Sequence, residues 1–168
     1  YRVRIAGSKV LAEPIDTQWN AWTRISFDGY DGGAPLTDFP VLVVLDAAAS
    51  NVHYESFASE QGYDLRFSDV GATTNLDYEI ESWNATATSY VWVKVPTLTK
   101  ETVIWAHWGN GPGATPPPYS INGATWSQGF EGVWHMTETD AADSTANGHN
   151  GLAVNDTTTV GGGIIGSA

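Results

Sequence analysis

The chain contains short runs in which apolar and polar residues alternate, separated by clusters of Gly, Asn, Asp and Pro. A period of two places successive side chains on opposite faces of a β-strand. No segment repeats apolar residues at helical spacing between a start and a stop signal. The pattern predicts strands at 1–5, 22–27, 39–46, 64–68, 76–83, 90–96, 101–110 and 130–136. We therefore expect an all-β protein, an antiparallel β-sandwich of the jelly-roll type.

The strands at 76–83 and 90–96 have one apolar and one mixed face. The apolar faces carry Leu76, Tyr78 and Ile80 on the first strand and Val91, Val93 and Val95 on the second. The opposite faces carry Asp77, Glu79, Glu81 and Trp83 on the first strand and Tyr90, Trp92 and Lys94 on the second. The run at 39–46 is apolar on both faces, which predicts a central strand covered on both sides.

A proline run at 116–118 marks a boundary between modules, because consecutive prolines cannot join a β-ladder. We divide the chain into an N-terminal extension at 1–18, a sandwich at 19–110, a Pro/Gly-rich linker at 111–125 and a second β segment at 126–168. The second β segment is incomplete, since about forty turn-rich residues are too few to enclose a core of their own.

Composition narrows the classes of function. The net charge is −12 and the isoelectric point is near 4.4, which disfavours nucleic acid and anionic membrane surfaces as partners. No apolar run is long enough to insert into a membrane. The chain has no cysteine, eight tryptophans and seven tyrosines. Abundant aromatic residues with few lysines favour an extracellular or cell-surface protein.

Five segments in a fixed order resemble a bacterial family of unassigned function, DUF2341. They are FPVLVVLD, GYDLRFSD, LDYEIESWN, YVWVKVP and WAHWGN, and they span roughly residues 19–110. The following GVWHM and DSTANGHNG are similar to the opening of a LamG or concanavalin-like jelly roll. The resemblance implies that such modules sit on large secreted or surface proteins, some of them linked to polysaccharide handling.

The outward aromatic residues suggest a glycan-binding face. If the strands at 76–83 and 90–96 form a hairpin, Trp83 and Trp92 lie on adjoining outward faces and can stack on sugar rings. The polar side chains expected to bond sugar hydroxyls are Glu79, Glu81, Arg66 and Lys94. The alternative is that the second segment or another sheet covers this face and that both tryptophans belong to the core.

The carboxylates at Asp77, Glu79 and Glu81 suggest an alternative function, glycoside hydrolysis, which needs a pair of acidic side chains. The DYEIE run resembles the E-x-D-x-E strand of laminarinase-type hydrolases, but Asp and Glu are exchanged at its first two acidic positions. The structural alternative is that these carboxylates lie on an outward face and that Arg66 and Lys94 neutralise their charge. We expect a non-catalytic protein.

Oxygen ligands in the turn-rich second segment raise the possibility of calcium. Asp140 and Asp143 are the weak candidates, with Asn147 and Asn150 nearby, but the spacing is not that of an EF-hand loop. The alternative is a set of Asx turns. The four histidines have no zinc-ligand spacing, so no cofactor other than calcium is expected.

These observations predict a secreted or surface module that binds a polysaccharide or surface glycan. The main alternative is a structural subunit joined to copies of itself. The first five residues, YRVRI, would then enter an open sheet edge on the second segment of a neighbouring copy. Three of the seven basic residues lie in the first ten positions, where there is no acid, so the acidic remainder attracts this strand.

Overall fold

A computed structural model describes residues 19–27, 29–46, 52–110, 115–136 and 141–151. It contains six strands: β1 Ala21–Ser26, β2 Leu36–Asp46, β3 Arg66–Ser68, β4 Tyr78–Ser82, β5 Thr88–Leu98 and β6 Val103–Trp108. Three short 3₁₀ turns lie at Tyr54–Ser56, Pro118–Ser120 and Ala124–Trp126. Within the described part of the chain, no helix is long and apolar enough to cross a membrane.

The strands form two antiparallel sheets of three, with the orders β1-β6-β3 and β2-β5-β4. The inner faces of the sheets enclose one apolar core. Its fully buried members include Ile25 and Phe67 from the first sheet and Val43, Tyr78 and Val91 from the second. The prediction of an all-β sandwich is therefore confirmed.

Alternation along the strands explains which side chains are buried. On β5, Val91, Val93 and Val95 are buried, whereas Trp92 and Lys94 between them are only partly covered. The hydroxyl of the buried Tyr78 crosses the core and donates to the carbonyl oxygen of Leu65 over 2.6 Å. This hydrogen bond ties β4 to the chain just before β3 in the opposite sheet.

Two strand predictions were wrong in detail. Among the described strands, β2 is an edge strand and β5 is central. Leu42 and Val44 on the outer face of β2 are only half-buried, so β2 is not covered on both sides. Asp64, the first residue of the strand predicted at 64–68, instead precedes β3 and is 1% exposed. Its carboxylate accepts the backbone N–H groups of Ala58, Ser59 and Gly109, which bind the turn before β3 to the end of β6.

The predicted strand at 130–136 is absent from the described residues. That segment contributes only an isolated bridge between Trp134 and Asp143. It lies in a compact loop assembly with residues 141–151 instead of adding a strand to either sheet. The predicted strand at 1–5 and most of the second segment after residue 151 lie outside the described residues.

Candidate functional site

A β-bulge in β4 separates the two tryptophans that were expected to share a face. Glu79 lies opposite Trp92 and Ile80 opposite Val91, but the next pair is Ser82 with Tyr90. Glu81 is therefore an extra residue in the strand, and the alternation reverses after it. Trp83 consequently turns to the core side, so the prediction of a common Trp83–Trp92 platform is wrong.

Trp83 is packed among core aromatic side chains. Its ring centroid lies 5.3 Å from that of Tyr54 and 5.0 Å from that of Phe57, both with edge-to-face geometry. The backbone of Gly62 passes so close that a Cβ there would lie 2.6 Å from the indole ring. The indole N–H is buried and has no hydrogen-bond partner within the described residues.

Trp92 stays on the outer face of β5, but a second layer covers it. We call this layer the cover and define it as residues 124–136 and 141–145. The ring of Trp92 lies 5.3 Å from Trp126 and 6.4 Å from His135, between centroids. Its indole N–H donates to the carboxylate of Glu81 over 2.5 Å. The interpretation in which the second segment covers this face therefore holds for Trp92.

Glu79 and Glu81 hold the cover in place. Glu79 accepts hydrogen bonds from the indole N–H of Trp126 at 2.5 Å and from the hydroxyl of Ser144 at 2.6 Å. The imidazole of His135 bridges the two carboxylates, with Nε2 at 3.2 Å from Glu79 and Nδ1 at 3.3 Å from Glu81. The side chains of Glu79, Glu81 and His135 are 19%, 5% and 14% exposed.

This environment sets the charge of His135. Burial acts to lower its pKa, but the hydrogen bonds and negative charges of Glu79 and Glu81 prevail and raise the pKa to about 9. His135 is therefore an imidazolium at neutral pH, and a cation between two carboxylates is a strong clamp. The sequence analysis found no role for His135, because its partners lie more than fifty positions away in the chain.

The remaining predicted site residues are dispersed. Lys94 forms an ion pair with Asp77 at 2.5 Å and donates to the cover at the carbonyl of Ala124 and the hydroxyl of Ser127. Arg66 belongs to β3 in the other sheet, where it donates to the carbonyl oxygens of Tyr63 and Leu65. The structure thus brings Trp92, Glu79, Glu81 and Lys94 together under the cover, and it places Trp83 and Arg66 elsewhere.

Asp143 organises the loop that carries the calcium candidates. Desolvation acts to raise its pKa, but the backbone N–H groups of Val133, Thr145 and His149 and the Thr145 hydroxyl donate to the carboxylate and lower the pKa. Hydrogen bonds of this kind, from nearby backbone N–H groups to an aspartate side chain, are those of Asx turns. Asp140 lies outside the described residues, and those that are described contain no cluster of three or more acidic, His or Cys side chains suited to a metal ion.

An open cleft of about 710 Å³ runs along β4. Its floor includes Glu79, Ile80 and Ser82, and the facing wall is formed by residues 120–123 and 143–145. Three lining residues are acidic and none is basic. The cleft therefore has negative potential and suits neutral or cationic ligands.

A smaller groove of about 300 Å³, which we call the aromatic groove, is lined by residues of the cover and by the adjoining residues 122–123 and 146–147. Its lining includes Trp126, Phe130, Asn122 and Asn147. Phe130 is 38% exposed and packs edge-to-face on the buried Trp126, with 5.4 Å between ring centroids. The Asn147 amide donates to the carbonyl oxygens of Phe130 and Glu131 and fixes this loop.

Trp134, from the same loop, is 44% exposed although it is held firmly. Its indole N–H donates to the carbonyl of His149 over 2.9 Å. Its ring lies on Gly132, where a Cβ would approach the indole to 2.3 Å. The sequence analysis missed this residue because it assigned FEGVWHM to a strand. The signal available was the glycine at Gly132, two positions before the tryptophan.

The comparison with protein families gives one match. Residues 61–133 are similar to a family described as a domain of unknown function, DUF2341. The resemblance expected over 19–110 is thus found over a shifted range that continues through the proline run into the cover. No family model covers the LamG-like continuation. No curated protein and no solved structure matches the chain.

Proposed function

We propose that this chain is a non-catalytic carbohydrate-recognition module whose glycan site is the aromatic groove together with Trp134. The observation that carries the proposal is the partial exposure of two aromatic rings, Phe130 and Trp134, in a loop fixed by hydrogen bonds. Aromatic faces stack on the C–H faces of sugars, and a prearranged ring loses little entropy on binding.

The polar groups around the groove suit sugar hydroxyls. Asn122 accepts the backbone N–H of Ala124 through its amide oxygen, and Asn147 donates through its amide nitrogen to two carbonyl oxygens. Within the described residues, the amide nitrogen of Asn122 and the amide oxygen of Asn147 are left for a ligand. At about 300 Å³ the groove is at the small end of the range for ligand sites. It suits one or two sugar residues of a longer chain. With a net charge of −12 the module favours neutral glycans over acidic ones.

The same network argues for binding without catalysis. Glu79 and Glu81, which are the best candidates for a hydrolase, both bond to His135 and to indole N–H groups beneath the cover. We assign these carboxylates to anchoring the cover, and we propose a secreted or cell-surface location for the module. Release of reducing ends from a polysaccharide, lost in Glu81→Gln, would favour the hydrolase instead.

Affinity electrophoresis tests the proposal. The protein migrates through native gels containing a β-1,3-glucan, a xylan or a galactan, and we expect retardation in at least one of them. Trp134→Ala and Phe130→Ala should each lose about tenfold in affinity, the effect of one good aromatic contact. Trp22→Ala is the matched control, because Trp22 is also 38% exposed but lies on β1 in the opposite sheet. Retardation that is absent, or equally reduced by all three substitutions, would overturn the proposal.

A further inference from the structure

Among the strands that the structure describes, none pairs with the outer edge of β4. The N–H of Lys94 donates to the carbonyl of Asp77 over 2.9 Å, so these two residues form a hydrogen-bonded pair of the ladder. Such pairs alternate along antiparallel strands, which makes Glu79–Trp92 the next one and turns the backbone groups of Tyr78 and Ile80 away from β5. Within the described residues, β4 pairs with β5 alone.

The cleft of about 710 Å³ gives access to this edge. It passes along Glu79, Ile80 and Ser82, so the outward N–H and C=O of Ile80 lie where an extended chain could enter. An unpaired strand edge is a template for β-augmentation, in which main-chain hydrogen bonds supply affinity and alternate side chains supply specificity.

The two faces of β4 define the side chains that an added strand must carry. On the core side, Tyr78 is fully buried and Ile80 packs against the core, so a neighbouring strand needs apolar residues there. On the outer side, Glu79 and Glu81 carry two negative charges against the single positive charge of His135. An added strand with alternating apolar and basic residues matches both faces.

We propose that β4 accepts residues 1–5 of a second copy of this chain as an added strand. Tyr1, Val3 and Ile5 supply the apolar face, and Arg2 and Arg4 supply the basic one. The segment is as long as β4, which has five residues. The first ten positions hold three basic residues and no acidic one. Their net charge is therefore opposite in sign to that of the rest of the chain and to that of the residues lining the cleft.

Topology favours a second copy over the same chain as donor. The N-terminal segment leads into β1, which lies in the sheet opposite to that of β4. Insertion within one chain would oblige residues 6–18 to cross from one sheet to the far edge of the other, against the preference for short connections. Donation between copies is a head-to-tail contact, which closes into a ring or extends into a filament.

Light scattering on the intact chain is the first test. At low salt we expect a molar mass at least about twice the 18.0 kDa of one chain, falling as salt is added. Arg2→Glu combined with Arg4→Glu should return the mass to that of one chain, and far-UV circular dichroism should show that the chain remains folded. A single-chain mass for the unmodified protein, or an assembly that survives the double reversal, would overturn the proposal.

Disulfide trapping identifies the acceptor strand. Because the chain has no native cysteine, only the introduced cysteines can form disulfides. A chain with Val3→Cys is mixed and oxidised with a chain carrying Ile80→Cys, which lines the cleft and lies on the core side of β4, or with one carrying Glu55→Cys, an exposed control. We expect several-fold more heterodimer with Ile80→Cys. Equal trapping by the two acceptors, or an intrachain disulfide formed at high dilution when Val3→Cys and Ile80→Cys are combined in one chain, would overturn the proposal.

Discussion

The indole N–H of Trp126 donates to the carboxylate of Glu79 across 2.5 Å, although the two residues are 47 positions apart. Ser144 and His135 donate to the other oxygen of the same carboxylate. One side chain from the edge strand thus receives three donors from the cover. The cover is therefore held on the sheet by charge-assisted hydrogen bonds as well as by aromatic contacts.

Glu79→Gln should destabilise the protein by about 2–4 kcal/mol. The buried donors that lose their acceptor add a desolvation penalty to the energy of the hydrogen bond itself. The amide can present its oxygen to only one of the two sides from which donors approach. The measurement is the free energy of unfolding in urea. Glu101→Gln is the control, because the Glu101 side chain is 70% exposed and forms a 3.6 Å ion pair with the equally exposed Lys100. Equal losses in the two variants would contradict the role assigned to Glu79.

Stability should fall as the pH rises through the titration of His135. Its pKa is about 9 in the folded protein, against about 6.5 when unfolded, so its contribution is fully present below pH 6.5 and is lost as the pH passes 9. We expect a decrease of up to about 3 kcal/mol over this window. His135→Gln should abolish that part of the pH dependence in urea titrations at each pH. An unchanged profile would show that another group titrates.

Trp92→Ala should lower the free energy of unfolding by about 3–5 kcal/mol, the range found when a buried aromatic side chain is truncated to alanine. The ring lies beneath Trp126 and His135, and Glu81 would lose its indole donor. Thermal melts and urea unfolding measure the effect, with the exposed Trp22→Ala expected to cost less than about 1 kcal/mol. A stable Trp92→Ala would mean that the cover opens readily and that Trp92 is accessible after all.

Gly62→Ala should destabilise the protein by about 2–4 kcal/mol, combining backbone strain with overpacking. Gly62 has a φ of +72°, and its added Cβ would meet the ring of Trp83 at 2.6 Å. Gly33→Ala is the matched control, because a Cβ at Gly33 meets nothing within 4 Å. Near-UV circular dichroism reports whether Trp83 is displaced. Equal stability of the two variants would contradict the close approach.

Neither added calcium nor a chelator should change the melting temperature of the protein. Both carboxylate oxygens of Asp143 already accept N–H or O–H donors from its own loop, which would have to be broken for a cation to bind. Differential scanning fluorimetry with calcium and with EDTA checks this. A calcium-dependent rise in melting temperature that Asp143→Asn removes would restore the ion-binding hypothesis.

Alternation was sufficient to predict the sandwich, because the burial of Tyr78, Val91 and Val93 follows a period of two wherever a strand is regular. It failed at Glu81, since a bulge arises from the pairing of two strands and leaves no mark on either alone. Asp64 and His135 were missed for a related reason. The partner Glu79 of His135 lies 56 positions away, and one of the three donors to Asp64, Gly109, lies 45 positions away, so a local pattern carries no information about these contacts.

Among the described strands β1 pairs with β6 alone, and this pairing affects how the chain folds during its synthesis on the ribosome. Residues 21–26 leave the tunnel long before residues 103–108 are made, and at ordinary elongation rates the delay is roughly 4–15 s. β2 must likewise wait for β5, and the cover follows both sheets in the chain. The nascent chain therefore presents unpaired apolar strands until residues 88–108 have emerged, and its two native sheets close nearly together.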